Sequence, residues 1–179
     1  MREMSIHAKT AKAIRTELKI NFPGVKFSVK SECFSGGNSV KVDWIDGPGK
    51  DKVNAITSKY QYGHFNAMED MYENSNEKSE LPQVKYVQIF REWSEKTLDT
   101  LKKYVRSYYV NWENVSDHEY NQYWNNSITG FIWEKFNNLD MSEIIKKIEV
   151  ESVEKGSVVA DILTNYRSKS ARLLLQSEK

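Results

Sequence analysis

The stretch from Val25 to Trp44, VKFSVKSECFSGGNSVKVDW, decides the fold. Apolar and polar residues alternate on both sides of the segment Ser35–Asn38, which contains two adjacent glycines. Alternation with a period of two is typical of strands that bury one face, and two such runs around a Gly-rich turn predict a β-hairpin. The apolar positions of the two runs form the predicted inner face: Val25, Phe27, Val29, Val40, Val42 and Trp44.

A helix is predicted before the hairpin, over residues 5–22. Ala11, Ile14 and Leu18 recur there near one helical face, with charged residues elsewhere. We expect the helix to end at Phe22, because the proline that follows disfavours the α conformation of the residue before it.

Residues 46–91 are predicted to contain a short helix, a helical turn, a loop and a third strand. Asp51 is placed to cap a short helix, and a further helical turn is expected over residues 65–72. The polar segment 73–82 is typical of a loop. The run from Val84 to Arg91 is apolar and β-branched enough to predict a third strand.

From Trp93 onward the hydrophobic period changes to that of a helix. Three helix starts are predicted by capping residues, namely Ser94 alone, Ser116 with Glu119, and Asp140 with Glu143. A last helix is expected over residues 157–175.

These elements predict the α+β class, with a small antiparallel sheet (the hairpin plus the third strand) packed with helices and followed by a helical C-terminal half. We place an α+β module over residues 1–94 and a helical region over residues 95–179, which we expect to pack on the first.

The composition indicates a folded protein with a substantial core, since 39% of the residues are hydrophobic and 12% are aromatic. A net charge of +1 excludes the strongly basic class of histone-like proteins. The single cysteine, Cys33, excludes an intrachain disulfide framework and indicates a reducing compartment. No apolar run is long enough for a signal peptide or a membrane span, so we expect a soluble intracellular protein.

Charge is unevenly distributed along the chain. Residues 1–62 contain eleven lysines and arginines against six acids, whereas residues 63–80 contain five acids and only one cation, Lys78. The electric fields of the basic segment and the acidic segment affect a binding partner more than the total charge of the chain does.

Four motifs stand out in the first half of the chain: Arg15-x-x-Leu18-Lys19, Phe22-Pro23-x-x-Lys26-Phe27-Ser28-Val29, Trp44-x-Asp46-Gly47-Pro48, and Tyr86 followed by Arg91 and Ser94. Over residues 8–94 the chain resembles the family called large polyvalent protein-associated domain 29. The resemblance implies an α+β fold, a setting in phages, plasmids or other mobile elements, and no established enzymatic activity. The family usually has an Asp–Gly pair where Asn66-Ala67 stands in this chain.

The residues that most often carry acid–base, metal or phosphate chemistry are isolated here. His7, His64 and His118 lack the spacing of a metal site, and Cys33 has no nearby His or Cys to complete one. Gly36-Gly37 lies between strands, whereas a phosphate-binding loop precedes a helix. We therefore predict no metal, no cofactor and no catalytic residues, and we expect Cys33 to be a structural thiol.

Asp43 and Asp46 flank Trp44 and raise the alternative of a paired carboxylate. On a strand, however, Asp43 points away from the side of Trp44, and Asp46 begins a turn in which Asp is favoured. The turn role is the preferred interpretation.

The face of the hairpin opposite the inner face carries Lys26, Ser28, Lys30 and Lys41, and the third strand adds Tyr86. Basic side chains with an aromatic among them suit a phosphate backbone and a stacked base. The alternative is an ordinary solvated sheet face, with Lys41 beside Asp43.

Residues 104–136 contain ten aromatics on more than one helical face. Four of them, Tyr109, Trp112, Tyr123 and Trp133, lie off the main apolar stripe. They either pack against a second helix or form an exposed patch for a protein partner.

The leading hypothesis is a non-catalytic accessory protein of a phage or other mobile element that binds a macromolecule of the host. An anti-defence inhibitor, of the anti-CRISPR or anti-restriction type, is the most specific version, with a host defence protein as partner in the cytoplasm of the bacterial cell. The alternative is a nucleic-acid-binding module that uses Lys26, Lys30 and Lys41. Neither hypothesis involves a membrane.

Overall fold

The computed structural model describes residues 3–108 and 128–155, and the side chains of 107, 108 and 151–155 are not described. Five α-helices, five strands and one short 3-10 helix lie in this part of the chain. In order they are α1 (Ile6–Asn21), β1 (Phe27–Phe34), β2 (Gly37–Ile45), α2 (Lys50–Thr57), the 3-10 helix Ser58–Tyr60, β3 (His64–Asn66), β4 (Met71–Glu73), β5 (Tyr86–Glu92), α3 (Glu95–Tyr108), α4 (Ile128–Phe136) and α5 (Met141–Lys155).

The chain divides into two compact units. The first comprises Met1–Ile45 and Lys50–Glu92, and the second comprises Asp46–Gly49 and Trp93–Lys179. The observed α+β class, with a small sheet, packed helices and a helical C-terminal part, confirms the predicted fold class.

The first unit is built on the predicted hairpin. Strands β1 and β2 pair antiparallel, with Phe27 opposite Trp44 and Lys30 opposite Lys41. The apolar positions point into one core, which confirms the predicted inner face. Four of them are buried (Val29, Val40, Val42 and Trp44), while Val25 and Phe27 are partly buried against them.

Helix α1 covers the inner face through the residues that its periodicity predicted. Ala11, Ile14 and Leu18 belong to the same core, and each is less than 5% exposed. The Arg15 guanidinium donates a hydrogen bond of 2.7 Å to the backbone oxygen of Val29 in β1.

The third strand joins the sheet in the opposite direction to the one we predicted. Strand β5 lies beside β2 and runs parallel to it, so the strand order is β1-β2-β5 and the sheet is mixed. Antiparallel neighbours are joined by a short turn, whereas a parallel pair needs a long crossover. Residues 46–85 supply that crossover, and they contain α2 and a second hairpin.

The prediction of a helical turn over residues 65–72 was wrong. Strands β3 and β4 pair there as a short antiparallel hairpin, with Phe65 opposite Tyr72. The spacing of Phe65, Met68 and Tyr72 imitates a helical face, but contacts with distant residues decide the local structure. The Tyr72 hydroxyl donates a hydrogen bond to the backbone oxygen of Lys85, thirteen residues away.

The polar segment after β4 is a loop, as predicted, and side-chain amides hold it in place. The Gln83 amide nitrogen donates to the backbone oxygens of Lys59 and Asn76, at 2.7 and 2.8 Å. The Asn76 amide nitrogen in turn donates to the backbone oxygen of Gln61 at 2.8 Å. This network fixes the loop beside the sheet without any regular secondary structure.

The second unit starts with the predicted cap. The N–H of Thr97 donates to the Ser94 hydroxyl at 3.3 Å, at the start of α3. The N–H of Asp140 donates to the Glu143 carboxylate at 2.6 Å, which confirms that capping box at the start of α5. The predicted box at Ser116 and the predicted helix over 157–175 lie outside the described residues.

A separate core holds the second unit together. Its buried members come from three helices: Leu101, Tyr104, Val105, Ile128, Ile132, Phe136, Ile144 and Ile148. The segment 46–49 is attached to this unit, since the N–H of Gly49 donates to the Asp140 carboxylate at 2.7 Å. Over the described residues, no helix is both long enough and apolar enough to cross a bilayer.

Candidate nucleic-acid interface

The outer face of the sheet is the side opposite the α1 core, and strand register fixes its members. It consists of Ser28, Lys30, Glu32 and Phe34 on β1, Gly37, Ser39, Lys41, Asp43 and Ile45 on β2, and Tyr86, Gln88, Phe90 and Glu92 on β5. Lys26 extends this face just before β1. Side chains on one face of a sheet that are opposite or diagonal neighbours lie within reach of each other, so these residues form one surface.

The centre of the outer face is cationic. Lys30 and Lys41 are direct partners in the antiparallel register, and both are exposed. The Lys41 ammonium lies 2.9 Å from the Asp43 carboxylate and 4.9 Å from the centre of the Phe90 ring. Among the described residues Lys30 has no ion-pair partner of its own. Like charges directly opposite each other destabilise a sheet. The stability of the sheet therefore does not explain why lysines occupy both of these positions.

One end of the outer face carries an aromatic row, formed by Phe34, Tyr86, Tyr72 and Tyr62. The rings of Phe34 and Tyr86 are nearly parallel, at 18°, with their centres 6.3 Å apart. Tyr72 meets Tyr86 edge-on at 5.5 Å and Tyr62 at 5.7 Å. The Lys85 ammonium lies 5.0 Å from the centre of the Tyr72 ring and 5.5 Å from that of Tyr86.

Small residues on the middle strand allow the aromatic row to form. Phe34 and Tyr86 are on the two outer strands, whose backbones are about 10 Å apart. Their rings lean towards each other over Gly37 and Ser39, and Ser39 is consequently only 8% exposed. A side chain at Gly37 would place its Cβ 2.8 Å from Cδ of Lys85, and the backbone φ of +143° also favours glycine.

The Tyr72 phenol stays neutral over the physiological range. Burial raises its pKa to about 12, and the neighbouring phenols of Tyr62 and Tyr86 add to the effect. The protonated hydroxyl is the form that donates to the backbone oxygen of Lys85. This bond ties β4 to the start of β5 and sets the position of the aromatic row.

A family model matches the chain over residues 6–98, more than half of its length, and its description is large polyvalent protein associated domain 29. The chain belongs to this family. Domains of the family are associated with polyvalent proteins of phages and other mobile elements. No curated protein and no solved structure gives a significant match.

The motifs that carry the resemblance to domain 29 stabilise the fold. Leu18 is fully buried, and Arg15 binds the backbone of β1. The Asp46 carboxylate accepts a 3.0 Å hydrogen bond from the N–H of Ser94, and Asp46 has a positive φ of 56°. Asp46 therefore has a structural role, but its carboxylate binds the backbone of a distant residue rather than that of its own turn. Asp43 is bound to Lys41, so the two carboxylates have separate partners.

The structure brings four of the sequence-predicted site residues of this domain onto one surface. Lys26, Lys30, Lys41 and Tyr86 all lie on the outer face. Trp133 is on α4 in the second unit, where its ring meets Trp93 edge-on at 6.1 Å. The other three predicted aromatics, Tyr109, Trp112 and Tyr123, lie outside the described residues.

Sequence reasoning missed Phe34, Phe90, Tyr72 and Lys85. The alternation of β1 continues through Lys30 and Glu32 to Phe34, so a longer predicted strand would have included it. Phe90 follows Tyr86 at an even spacing and shares its face. No local signal identifies Tyr72, because its position depends on the second hairpin.

The second hairpin of the domain has an exposed apolar and acidic tip, formed by Met68, Glu69, Asp70 and Met71. Met68 is 97% exposed and Met71 is 51% exposed. Asn66 shapes the tip by accepting a 3.0 Å hydrogen bond from the N–H of Met68 and donating one of 2.5 Å to Glu73. The acidic stretch seen in the sequence therefore begins on a turn that the Asn66 side chain holds by hydrogen bonds.

A cleft of about 310 Å³ beside β5 is lined by Asn54, Ser58, Gln61, Asn76 and Val87, among others. The Gln61 amide accepts the N–H of Val87 and donates to the backbone oxygen of Gly63, both at 2.7 Å. Asn76 is engaged in the loop network. These amides hold the fold and leave little polar capacity for a ligand.

Within the described ranges, no three His, Cys, Asp or Glu side chains are grouped to hold a metal ion. His64 binds the Ser75 hydroxyl at 2.9 Å, and Cys33 is exposed near the end of β1.

Proposed function

We propose that this chain is a non-catalytic, nucleic-acid-binding accessory protein of a mobile element, which acts in the cytoplasm of the host cell through the outer face of its sheet. The observation that carries the proposal is the direct cross-strand pairing of Lys30 and Lys41 on an exposed surface.

Juxtaposed lysines cost stability in the free protein and gain a favourable interaction when an anion binds between them. Lys26 is exposed just before β1 and supplies a third lysine to the proposed surface. Phosphate groups of a nucleic-acid backbone are anions that repeat at short spacing, and they match a row of cations better than a single small anion does.

The non-catalytic part of the proposal is supported by the partners of the two candidate carboxylates. Asp43 binds the Lys41 ammonium and Asp46 binds the backbone of Ser94. Each carboxylate therefore has a structural role that accounts for its position.

Binding of fluorescent oligonucleotides at a series of salt concentrations tests the proposal. Three lysines in contact with phosphates predict a slope of about −2 for the logarithm of the binding constant against the logarithm of the salt concentration for a single strand. The Lys26→Ala/Lys30→Ala/Lys41→Ala variant should lose most of the affinity and most of that slope.

The matched control removes three exposed lysines from α1, as Lys9→Ala/Lys12→Ala/Lys19→Ala. Both variants change the net charge by the same amount, so only the location of the charges differs. Equal loss in the two variants, or no binding by the wild type at low salt, would refute the proposal.

A second candidate function, inhibition of a host defence protein, is favoured by the tip of the second hairpin. Met68 and Met71 present apolar surface on a turn that Asn66 holds in shape, and Glu69 and Asp70 lie between them. An acidic and apolar tip is complementary to a basic surface, such as the nucleic-acid-binding surface of an anti-CRISPR or anti-restriction target.

An infection assay in a host with an active defence system tests this second candidate. The wild-type chain should restore phage plating, and a Met68→Asp/Met71→Asp variant should not. The Lys30→Ala/Lys41→Ala variant is the control, because it leaves the tip unchanged. Full protection of the phage by the tip variant would reject the hairpin as the inhibitory surface.

A further inference from the structure

We infer that the outer face takes single-stranded nucleic acid, with unpaired bases stacked on Phe34, Tyr86 and Phe90. This inference rests on the proposed function, and it names both the class of ligand and the residues that select it.

The outer face exposes aromatic rings that do not belong to the hydrophobic core. Phe34 is 45% exposed and Phe90 is 46% exposed, although both belong to well-formed strands. Phenylalanine has no hydrogen-bonding group, so exposure to water gives it no compensating interaction. An aromatic ring on an open sheet suits a flat π-system, and a nucleobase is a flat π-system of similar size.

Aromatic and cationic side chains follow each other in a fixed order along the sheet. Tyr86 and Phe90 lie four residues apart on β5, which corresponds to about 13 Å. The row with Lys30 and Lys41 lies between them, because Lys41 is the register partner of Gln88. Aromatic, cationic and aromatic positions therefore alternate, as bases and phosphates alternate along a single strand.

Neighbouring side chains hold the rings in place before any ligand binds. Tyr86 is packed edge-on by Tyr72, and the Lys85 ammonium lies over both rings while it donates a 2.9 Å hydrogen bond to the backbone oxygen of Gly36. At the other end, the Lys41 ammonium lies over the Phe90 ring. Preorganised rings lose little conformational entropy when a base stacks on them.

Exposed rings on either side of the lysines favour a single strand over a duplex. In a duplex the faces of the bases are covered by their neighbours, so a duplex would contact the lysines and leave the rings unused. A single strand would use both sets of groups. The outer face should therefore prefer single strands to duplexes of the same sequence.

The experiment compares four probes of about ten nucleotides, within the range of known single-strand sites: a DNA strand, the matching RNA strand, the DNA duplex, and an abasic DNA strand with the same phosphates. The variant is Phe34→Leu/Phe90→Leu, which keeps apolar bulk and removes the rings. Ile20→Ala, an exposed apolar change on α1, is the control. Tyr86→Leu is a second variant in case the first one folds poorly.

We expect the ring variant to bind the DNA or RNA strand about tenfold or more weakly than the wild type, since each stacked base contributes strongly to affinity. We expect it to bind the abasic strand as the wild type does. The DNA and RNA arms identify which strand is preferred. Equal affinity of wild type and both ring variants for single strands, or equal affinity of the wild type for strand and duplex, overturns the inference. If the lysine variant still loses binding in that case, the proposed function stands without it.

Discussion

The two faces of one three-stranded sheet follow different rules. On the inner face, Val29, Val40, Val42 and Trp44 are at most 7% exposed and contact α1 residues of the same kind. The same strands carry exposed aromatics and two opposed lysines on the outer face. These inner-face residues are apolar and buried, as a folding sheet requires, whereas the outer face exposes aromatic rings and places two lysines opposite each other.

The inner-face residues stabilise the fold, whereas the outer-face residues are not needed for stability. Burial of apolar area drives folding, so inner-face substitutions should reduce the free energy of unfolding. Outer-face substitutions should change binding and leave stability nearly unchanged, or should even improve it. Four predictions examine this separation, from the largest expected effect to the smallest.

Trp44→Ala should reduce the free energy of unfolding by about 3–5 kcal/mol, because it leaves a large cavity beside Phe27, whose ring centre is 5.8 Å from that of Trp44. Urea unfolding measures the change. Ile45→Ala is the control, since Ile45 is the next residue of the same strand and is 57% exposed on the other face. Similar losses in the two variants would contradict the separation.

Tyr72→Phe should reduce the free energy of unfolding by about 1 kcal/mol, because the backbone oxygen of Lys85 loses its donor. Burial raises the pKa of Tyr72 to about 12, whereas an unfolded tyrosine titrates near pH 10. The contribution of the Tyr72 hydroxyl to the free energy of unfolding is therefore complete below pH 10 and is lost as the pH rises to about 12. The difference between the wild-type and variant stability curves should therefore shrink over that range.

Tyr60 titrates in the same range, since burial also raises its pKa to about 12. It is present in both proteins, so the subtraction removes its contribution. A difference that stays constant between pH 10 and pH 12 would show that Tyr72 ionises as it does in the unfolded chain.

Lys30→Thr should increase the free energy of unfolding by about 0.2–1 kcal/mol, because it removes like-charge repulsion and introduces a β-branched residue. The same variant should bind oligonucleotides more weakly. Lys12→Thr on α1 is the matched control and should not stabilise the protein. A destabilised Lys30→Thr variant would mean that Lys30 contributes to the fold.

Phe90→Leu should change the free energy of unfolding by less than about 0.5 kcal/mol, because the side chain is 46% exposed and its burial contributes little. Thermal and urea unfolding together would measure a change of this size. A loss comparable with that of Trp44→Ala would place Phe90 among the residues that fold the sheet.

The sequence predicted those parts of the fold that depend on neighbouring residues. Alternation identified the hairpin and its inner face, and cap chemistry located the starts of α3 and α5 at Ser94 and Asp140. These signals come from a few adjacent residues, so they can be read without knowledge of the tertiary structure.

The features that the sequence did not predict depend on contacts between distant residues. The parallel direction of β5 depends on how the crossover returns, and no residue of β5 encodes it. The second hairpin depends on the bond from Tyr72 to Lys85. Lys26, Lys30, Lys41 and Tyr86 were the predicted members of the outer face, whereas Phe34 and Phe90 were not, although both continue the alternation of their strands.

The bond from Arg15 to the oxygen of Val29 has a consequence for assembly. Strand β1 is an edge strand, and an open edge is a template for pairing with another chain. The Arg15 guanidinium occupies the backbone oxygen of Val29, so this acceptor on the edge strand is not available to a pairing strand.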